Sequence, residues 1–435
     1  MPSSAPNSGT AISENLAWKI WGLGATFYAF GFFLRVSPSV MVDELMSDLS
    51  ATAGAVGGLS ASYLYAYAGL QIPIGIMLDR WGSRRVFVGA ALLCALGGLL
   101  FGVATSLGVA HIGRILLGAG SGVAWVGCLK LAALWFPLHR FAFVSGIGLT
   151  FGMTGAVFGQ GPLAAAVDAI GWRGTMLVGA VIAGALAVGL ARIPNDPVPA
   201  QPDATLPEGA RAEPSPSVLR GIGLVLRNRQ TWYAASYGSL MTVPMLGFAA
   251  LWGVPYLVER FGVTRPVAGA ATSLLLVGWG LGSPLYGWWS GRTGHRRRLM
   301  ILGASANLAT IATALYAPGL PFAVVAGLLL LNGLASGSMP LCFAVARSHQ
   351  PEHLAASTFG FANTLVIALA AVMQPVIGMI MDATWEGALR DDTRAYSLFS
   401  YHAGLLVVPA CVAAAIGLAI LLRESGPTSE TPSTA

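Results

Sequence analysis

Runs of about 20 apolar residues recur along almost the whole chain, and nothing else limits its fold as strongly. Each run can cross a ~30 Å hydrocarbon core, where backbone polar groups must find partners within the protein. Twelve are counted, at 18–42, 54–78, 86–105, 109–134, 141–167, 175–190, 232–257, 267–289, 299–317, 322–346, 357–381 and 401–422. The composition agrees: 55% of the residues are hydrophobic and only 10% charged, against about 25% charged in a soluble domain. A length of 435 residues therefore means an all-α membrane protein of twelve transmembrane helices. No cleavable signal peptide is expected, because residues 1–10 are uncharged and the first apolar run begins near Trp18.

The net charge of +6 raises the question of nucleic acid, but its distribution answers otherwise. Basic residues gather in alternate loops, at Arg80, Arg84 and Arg85, at Arg140, between Arg192 and Arg229, at Arg292 and Arg296 to Arg298, and at Arg347 and Arg423. The intervening loops are acidic or neutral, with Asp43, Glu44, Asp48, Asp168, Asp382, Asp391 and Asp392. This is the positive-inside pattern. It places both termini in the cytoplasm of a multi-pass inner-membrane protein and makes lipid, not nucleic acid, the surrounding partner. Cys94, Cys128, Cys342 and Cys411 all fall in apolar runs, so neither a disulfide nor a metal site is expected, and no cofactor.

The chain divides into a tail (1–17), a six-helix bundle (18–192), a linker (193–230), a second six-helix bundle (231–423) and a tail (424–435). The linker is rich in Pro, Ala and polar residues and cannot bury enough apolar surface to fold. The two bundles read as repeats. "GIMLDRWGSRR" from Gly75 aligns with "GWWSGRTGHRR" from Gly287, and "FPLHR" from Phe136 aligns with "QPEHL" from Gln350, pairing His139 with His353. Gln160 precedes Asp168 as Gln374 precedes Asp382. One nearly constant offset of about 212 to 214 residues relates all three pairs. Duplicated six-helix units are typical of transporters with a substrate site near the midplane between the halves.

The first of these motifs resembles the signature loop of the major facilitator superfamily, with Gly75, Asp79, Gly82, Arg84 and Arg85 at its key positions. The resemblance implies that fold, with a carboxylate that meets cations and a helix terminus to latch the cytoplasmic face. In the second copy Gly291 replaces Asp79, which weakens any latch there. "RILLGAGSG" from Arg114 is similar to the family's fourth-helix pattern. "FFLRVSPSVM" with "LSASYLYAYAGLQIPIG" resembles the organophosphate antiporter and anion:cation symporter branches, which implies an anion-binding arginine at Arg35. Two departures stand out. Helix 7 has no cation, and Ser121 stands where the symporters place an acid.

Arg35 is the residue that most needs explaining, since arginine at membrane depth costs roughly 2.5–3.5 kcal/mol on insertion scales. It lies near the outer end of its span, so snorkelling to the headgroups is one reading. Tyr28 and Phe32 share its face, and the matching stretch of helix 7 is apolar (Ala249 to Trp252), which favours a one-sided binding cation for a carboxylate. Tyr63, Tyr67 and Gln71 form an i, i+4, i+8 stripe, and Tyr237 carries the spacing into helix 7. Trp125, Trp252, Asn332, Asn363 and Gln374 complete the candidate binding set, each equally open to a packing or interhelical role. Arg114 and Lys130 share a helix but point about 160° apart, so they belong to gating or structure and not to one site.

No Asp or Glu lies in the middle third of any span, so a dedicated intramembrane proton relay is not expected. No constellation of catalytic or metal spacing suggests an enzyme. The expected function is secondary transport of a small organic anion, a carboxylate or amino-acid-like metabolite, by a monomer. It would work by alternating access as a symporter or exchanger, with a proton or counter-anion as the coupled species. The alternative is a multidrug or siderophore-type exporter of the same fold.

Overall fold

The computed structural model describes residues 14–196, 225–351 and 354–423. The C-terminal tail, His353, and most of the expected N-terminal tail and linker lie outside the described residues. The first half comprises α1 (Glu14–Val36), a 3-10 turn (Ser37–Val40), α2 (Val42–Asp48), α3 (Ala53–Gly69), α4 (Gln71–Gly102), α5 (Leu107–Trp135), α6 (Leu138–Phe158) and α7 (Gly161–Leu190). The second comprises α8 (Arg229–Val243), a π-helical segment (Pro244–Trp252), α9 (Gly253–Phe261), α10 (Arg265–Thr293), α11 (Arg296–Tyr316), α12 (Phe322–Ser336), α13 (Leu341–Ser348), α14 (Ala355–Ala383), α15 (Leu398–Leu405) and α16 (Val407–Leu421). A two-residue hairpin, β1 (Leu389–Arg390) and β2 (Thr393–Arg394), lies between α14 and α15.

Among the described residues ten stretches are long and apolar enough to span a membrane, and the path of the chain makes them twelve crossings. Phe143–Leu190 is a single 48-residue stretch that turns at Gly171. The α3 helix runs on into the start of α4 before the chain turns at Gly82. Both glycines hold φ above +70°, a left-handed conformation that costs a side-chain-bearing residue about 1–2 kcal/mol.

Several spans expected to be continuous are broken, and proline explains where. A proline cannot donate to the carbonyl four residues earlier. Pro73, Pro162, Pro340 and Pro409 each stand four residues after the last residue of a helix, at Gly69, Phe158, Ser336 and Leu405. Pro244 instead opens the π segment. Pro284 and Pro375 stay inside helices.

Within the first half, α4 packs on α5 and α7, and α1 on α5 and α6; within the second, α10 packs on α12 and α8 on α14 and α16. Between the halves the broadest packing is of α3 with α14 and of α7 and α6 with α10, and the 3-10 turn also meets the π segment. One end of the molecule carries Asp79 and the other Asp382, and these residues name the ends below.

Candidate functional site

Arg35 sits in the last turn of α1, at the negative end of its macrodipole. It is 7% exposed, so it neither faces lipid nor reaches the headgroups. Its guanidinium lies 4.3 Å from the ring centre of Phe32, 4.6 Å from Tyr67 and 6.0 Å from Tyr63. Among the described residues no carboxylate pairs with it, and its Nε has no hydrogen-bond partner. Removing an ion from water costs several kcal/mol even after relaxation, and three aromatic faces at ~0.5–2 kcal/mol each recover only part of that.

The surrounding rings are fixed by their own contacts. Tyr28 packs against Trp125 at 5.0 Å between ring centres and edge-on against Phe32 at 5.1 Å. The Tyr63 hydroxyl donates to the Gly31 carbonyl at 2.7 Å, clamping α3 to α1. Tyr67 lies parallel to Tyr63, and Gln71 donates to the carbonyls of Tyr67 (3.2 Å) and Gly122 (3.4 Å). The structure thus gathers Arg35, Tyr28, Tyr63, Tyr67 and Trp125 on α1, α3 and α5, with Gln71 a turn nearer the Asp79 end.

Arg114 is fully buried behind this group, 4.9 Å from the Tyr63 ring centre. It donates to the carbonyls of Leu34 (2.8 Å) and Ser60 (3.4 Å). The Leu34 carbonyl is one that the end of α1 leaves free, so Arg114 caps the helix that presents Arg35.

The second-half candidates are engaged within their own half. Tyr237 donates to Met300 O and shares a bond with Ser338, both at 2.9 Å. Asn332 donates to Asn307 and Thr310. Trp252 donates to Gln374 O at 3.1 Å, while Gln374 Nε2 donates to Leu246 O at 2.7 Å and leaves its buried Oε1 unpartnered. Asn363 is half-buried on α14, and its side chain bonds to no described residue.

Two residues at the Asp382 end went unread as partners, Ser39 and Arg265, and they act there with Gln160. Gln160 Nε2 donates across the halves to Ala249 O at 2.8 Å, and its Oε1 accepts from Ser39 at 3.2 Å. A π turn displaces carbonyls from the α pattern, and the repeat-matched Gln160 and Gln374 both bind carbonyls of this one. Arg265, at the start of α10, pairs with Glu44 and, at 3.8 Å, with Asp168. Asp382 accepts from the first amides of α3. The bonds that join the halves therefore gather at the Asp382 end. At the Asp79 end, the described bonds tie each half to itself.

This arrangement, twelve crossings in two halves clasped at one end, has close counterparts. The profile of the Major Facilitator Superfamily matches residues 21–375. The chain belongs to the Major Facilitator Superfamily. A bacterial homologue of the human lysosomal transporter Spinster, solved inward-facing and occupied, aligns at a TM-score of 0.76 and 15% identity, covering 94% of this chain and 97% of that one. A D-xylose–proton symporter aligns at 0.67 and 17% identity, covering 94% and 98%. At such identities the likeness is one of fold. Among curated relatives, the probable sulfoacetate transporter of Cupriavidus necator is 28% identical over 166 residues, 38% of this chain and 39% of its own length. The nitrite extrusion protein of Bacillus subtilis is 23% identical over 292 residues, 65% of this chain and 67% of its own length. The probable galactarate/D-glucarate transporter of Pseudomonas putida is 28% identical over 119 residues, 26% of each chain. The matches to the sulfoacetate and galactarate/D-glucarate transporters thus span well under half of those proteins. These relatives are named as transporters, not enzymes.

The superfamily's signature loop is closed in this member by a lysine. Lys130 donates to Leu78 O at 2.6 Å and pairs with Asp79 at 3.2 Å and Asp196 at 3.4 Å. Asp79 was expected to meet both a cation and a helix terminus. It meets the cation, while the terminus goes to Asp196, whose Oδ2 accepts from the Ser83 amide at 3.0 Å and hydroxyl at 3.1 Å. Asp79 remains largely exposed, Gly75 stands one turn before it, and Arg84 and Arg85 face outward after the Gly82 turn. Asp196 went unnoticed because it falls at the start of a segment whose composition reads as linker.

Proposed function

We propose that this chain is a secondary transporter of small organic anions, working by alternating access, and that Arg35 holds the anionic group. One observation carries the reading: a buried guanidinium among aromatic rings, with a free Nε and no carboxylate of its own. An anion arriving there supplies the missing charge, and the planar fork suits a carboxylate or sulfonate. The names of three relatives point the same way, since sulfoacetate, galactarate or glucarate, and nitrite are all anions. Tyr28, Tyr67 and Trp125 would flank the substrate body.

The positive-inside pattern puts the Asp79 end in the cytoplasm of an inner membrane, with both termini there. The clasped Asp382 end is then the outer one, and this structure is the inward-facing state. With no carboxylate in the body of the spans, the coupled species is a counter-anion, or a proton carried by the substrate or by groups at the rim. A multidrug exporter is the second reading, supported by a Mycobacterium tuberculosis relative named as a multidrug resistance protein B homologue, 33% identical over 143 residues, 32% of this chain and 26% of its own length.

The deciding experiment is a thermal-shift screen of the purified protein against carboxylates, sulfonates, amino acids and lipophilic cations, followed by counterflow in proteoliposomes for each hit. Stabilisation and counterflow by anions support the proposal. Stabilisation by cations alone replaces it with the exporter reading.

A further inference from the structure

Two arginines flank the Tyr63 ring, and no carboxylate stands with either. Arg114 lies 4.9 Å from the ring centre and Arg35 6.0 Å. Arg114 is fully buried and Arg35 nearly so, and arginine keeps its proton in a protein. Among the described residues neither takes part in an ion pair, and the Nε of each is buried without a hydrogen-bond partner.

The elements around them hold no acid to balance these charges. On α1 the one acid is Glu14, at the far end and paired with Arg140, while α3 and α5 have none. In the other half, α14 carries only Asp382, in its last turn, and α8 and the π segment carry no acid. The other cations on these helices are accounted for. Lys19 is exposed near the start of α1, and Lys130 is met by Asp79 and Asp196. The surroundings of Tyr63 thus hold two positive charges and no negative one, in a medium where charge is felt further than in water. The carbonyls of Leu34 and Ser60 ease the Arg114 charge as dipoles without cancelling it. A ligand with one negative charge would remove half of this imbalance, and a ligand with two would remove all of it.

We propose that the substrates are doubly charged anions, dicarboxylates being the simplest, and that Arg114 sets this valence without touching them. One anionic group sits on Arg35, and the field of Arg114 compensates the second. Arg114 is therefore a positioning residue that acts through charge as well as through its bond to α1. The inference rests on the reading of Arg35 as the anion-binding group and narrows it. At an effective dielectric of about 20 and a separation of roughly 10 Å, one protein charge changes affinity about ten-fold per ligand charge.

The test sets each dianion against its half-amide, which keeps the shape and loses one charge: succinate with succinamate, glutarate with glutaramate, terephthalate with terephthalamate. Affinities are measured by isothermal titration of the full chain in lipid nanodiscs, at pH 8 and constant ionic strength, where an imidazole such as that of His111 is neutral. The dianion of a pair should bind more tightly. In Arg114→Gln the half-amides should weaken about ten-fold and the dianions about a hundred-fold, whereas Arg114→Lys should retain the dianion advantage. A merely structural arginine would weaken both members of a pair alike. Half-amides that bind as tightly as dianions, or an unchanged ratio in Arg114→Gln, overturn the proposal and leave anion binding at Arg35 standing. Binding by no anion of either valence overturns both. If Arg114→Gln does not fold, Ser121→Asp decides, because it keeps both arginines and sets a carboxylate two turns along α5 on the face of Arg114. A dianion advantage unchanged in Ser121→Asp overturns the proposal.

Discussion

Replacing Arg35 by methionine keeps most of the side-chain volume and stem while removing the charge, and its effect differs in sign with and without ligand. Without substrate, the guanidinium is a buried ion whose described contacts are aromatic rings. Those contacts are worth ~0.5–2 kcal/mol each, against a desolvation penalty of several kcal/mol. Arg35→Met should therefore melt at the wild-type temperature or above it. With substrate the balance reverses. Removing one partner of a buried, hydrogen-bonded charge pair costs roughly 2–5 kcal/mol, which at 1.4 kcal/mol per decade is about thirty- to several-thousand-fold in affinity.

The assay is a melting curve with the best anion from the screen, held at one hundred times its wild-type Kd. Wild type should gain about 2.7 kcal/mol, and the variant under about 1 kcal/mol even at the thirty-fold limit. Arg35→Lys should fall between the two, because the ammonium keeps the charge but not the planar fork. Two results would refute the reasoning. One is an anion-dependent gain that survives in Arg35→Met. The other is a large loss of ligand-free stability, which would make Arg35 a packing residue whose charge is compensated in the free protein.

The remaining predictions concern latches and packing. Lys130→Met should lower the melting temperature by several degrees because it leaves Asp196 without its counter-charge and the Leu78 carbonyl without its donor, whereas Asp79→Asn, at a largely exposed carboxylate, should change it little. Asp48, held below the usual carboxylate range by its bond from Trp172 and by Arg173, stabilises the protein above about pH 4 and loses that contribution as pH falls further. Asp48→Asn should thus flatten the acid limb of a melting-temperature profile. A methyl group at Gly378 would sit 2.4 Å from the Ala53 carbonyl across the halves, so Gly378→Ala should favour the state open at the Asp382 end, seen as a longer distance between nitroxide labels at the exposed Ser47→Cys and Glu386→Cys. The same change at Gly155, 1.9 Å from Ala29 O inside the first half, should instead reduce folded yield.

The fold was legible because lipid permits few alternatives. Twelve apolar runs in two matched sets leave little besides paired six-helix bundles. The helix breaks were not read: the apolar runs look continuous, and Pro284 and Pro375 stay inside helices, although the four-residue interval before Pro73, Pro162, Pro340 and Pro409 is backbone chemistry. Arg35 could be singled out by its cost, and Tyr28, Tyr63 and Tyr67 by their spacing along a helix. What could not be read were bonds between elements far apart in sequence. Arg265 lies 221 positions from Glu44, and Gln160 lies 89 from Ala249. Neither pairing leaves a periodic trace, because each exists only once the halves dock. Hydrogen bonding also separates candidates that spacing made look equal: Tyr237 and Asn332 bond to neighbouring second-half groups, which helical periodicity alone cannot reveal.

The charge asymmetry between the halves bears on how binding could drive movement. An anion held by the first half alone would change nothing, since a ligand shifts an equilibrium only through differential contact with the two states. The second half must contribute something that closes on the bound anion, and most of its buried polar groups already bond to one another. The Asn332 Oδ1 on α12 has no partner, and neither do the Asn363 amide and the Gln374 Oε1. The last two are on α14, the helix that packs on α3, which bears Tyr63 and Tyr67. Of the two, Asn363 is the half-buried one and has a free amide to donate. Asn363→Leu should therefore leave ligand-free melting within about 0.5 kcal/mol of wild type, as for a change at a site without bonds. It should nonetheless slow counterflow more than it weakens anion binding, because what it removes is contact made on closure. Equal losses in binding and counterflow would instead make Asn363 a plain binding group, and no loss in either would leave the second half's contribution to other residues of α14.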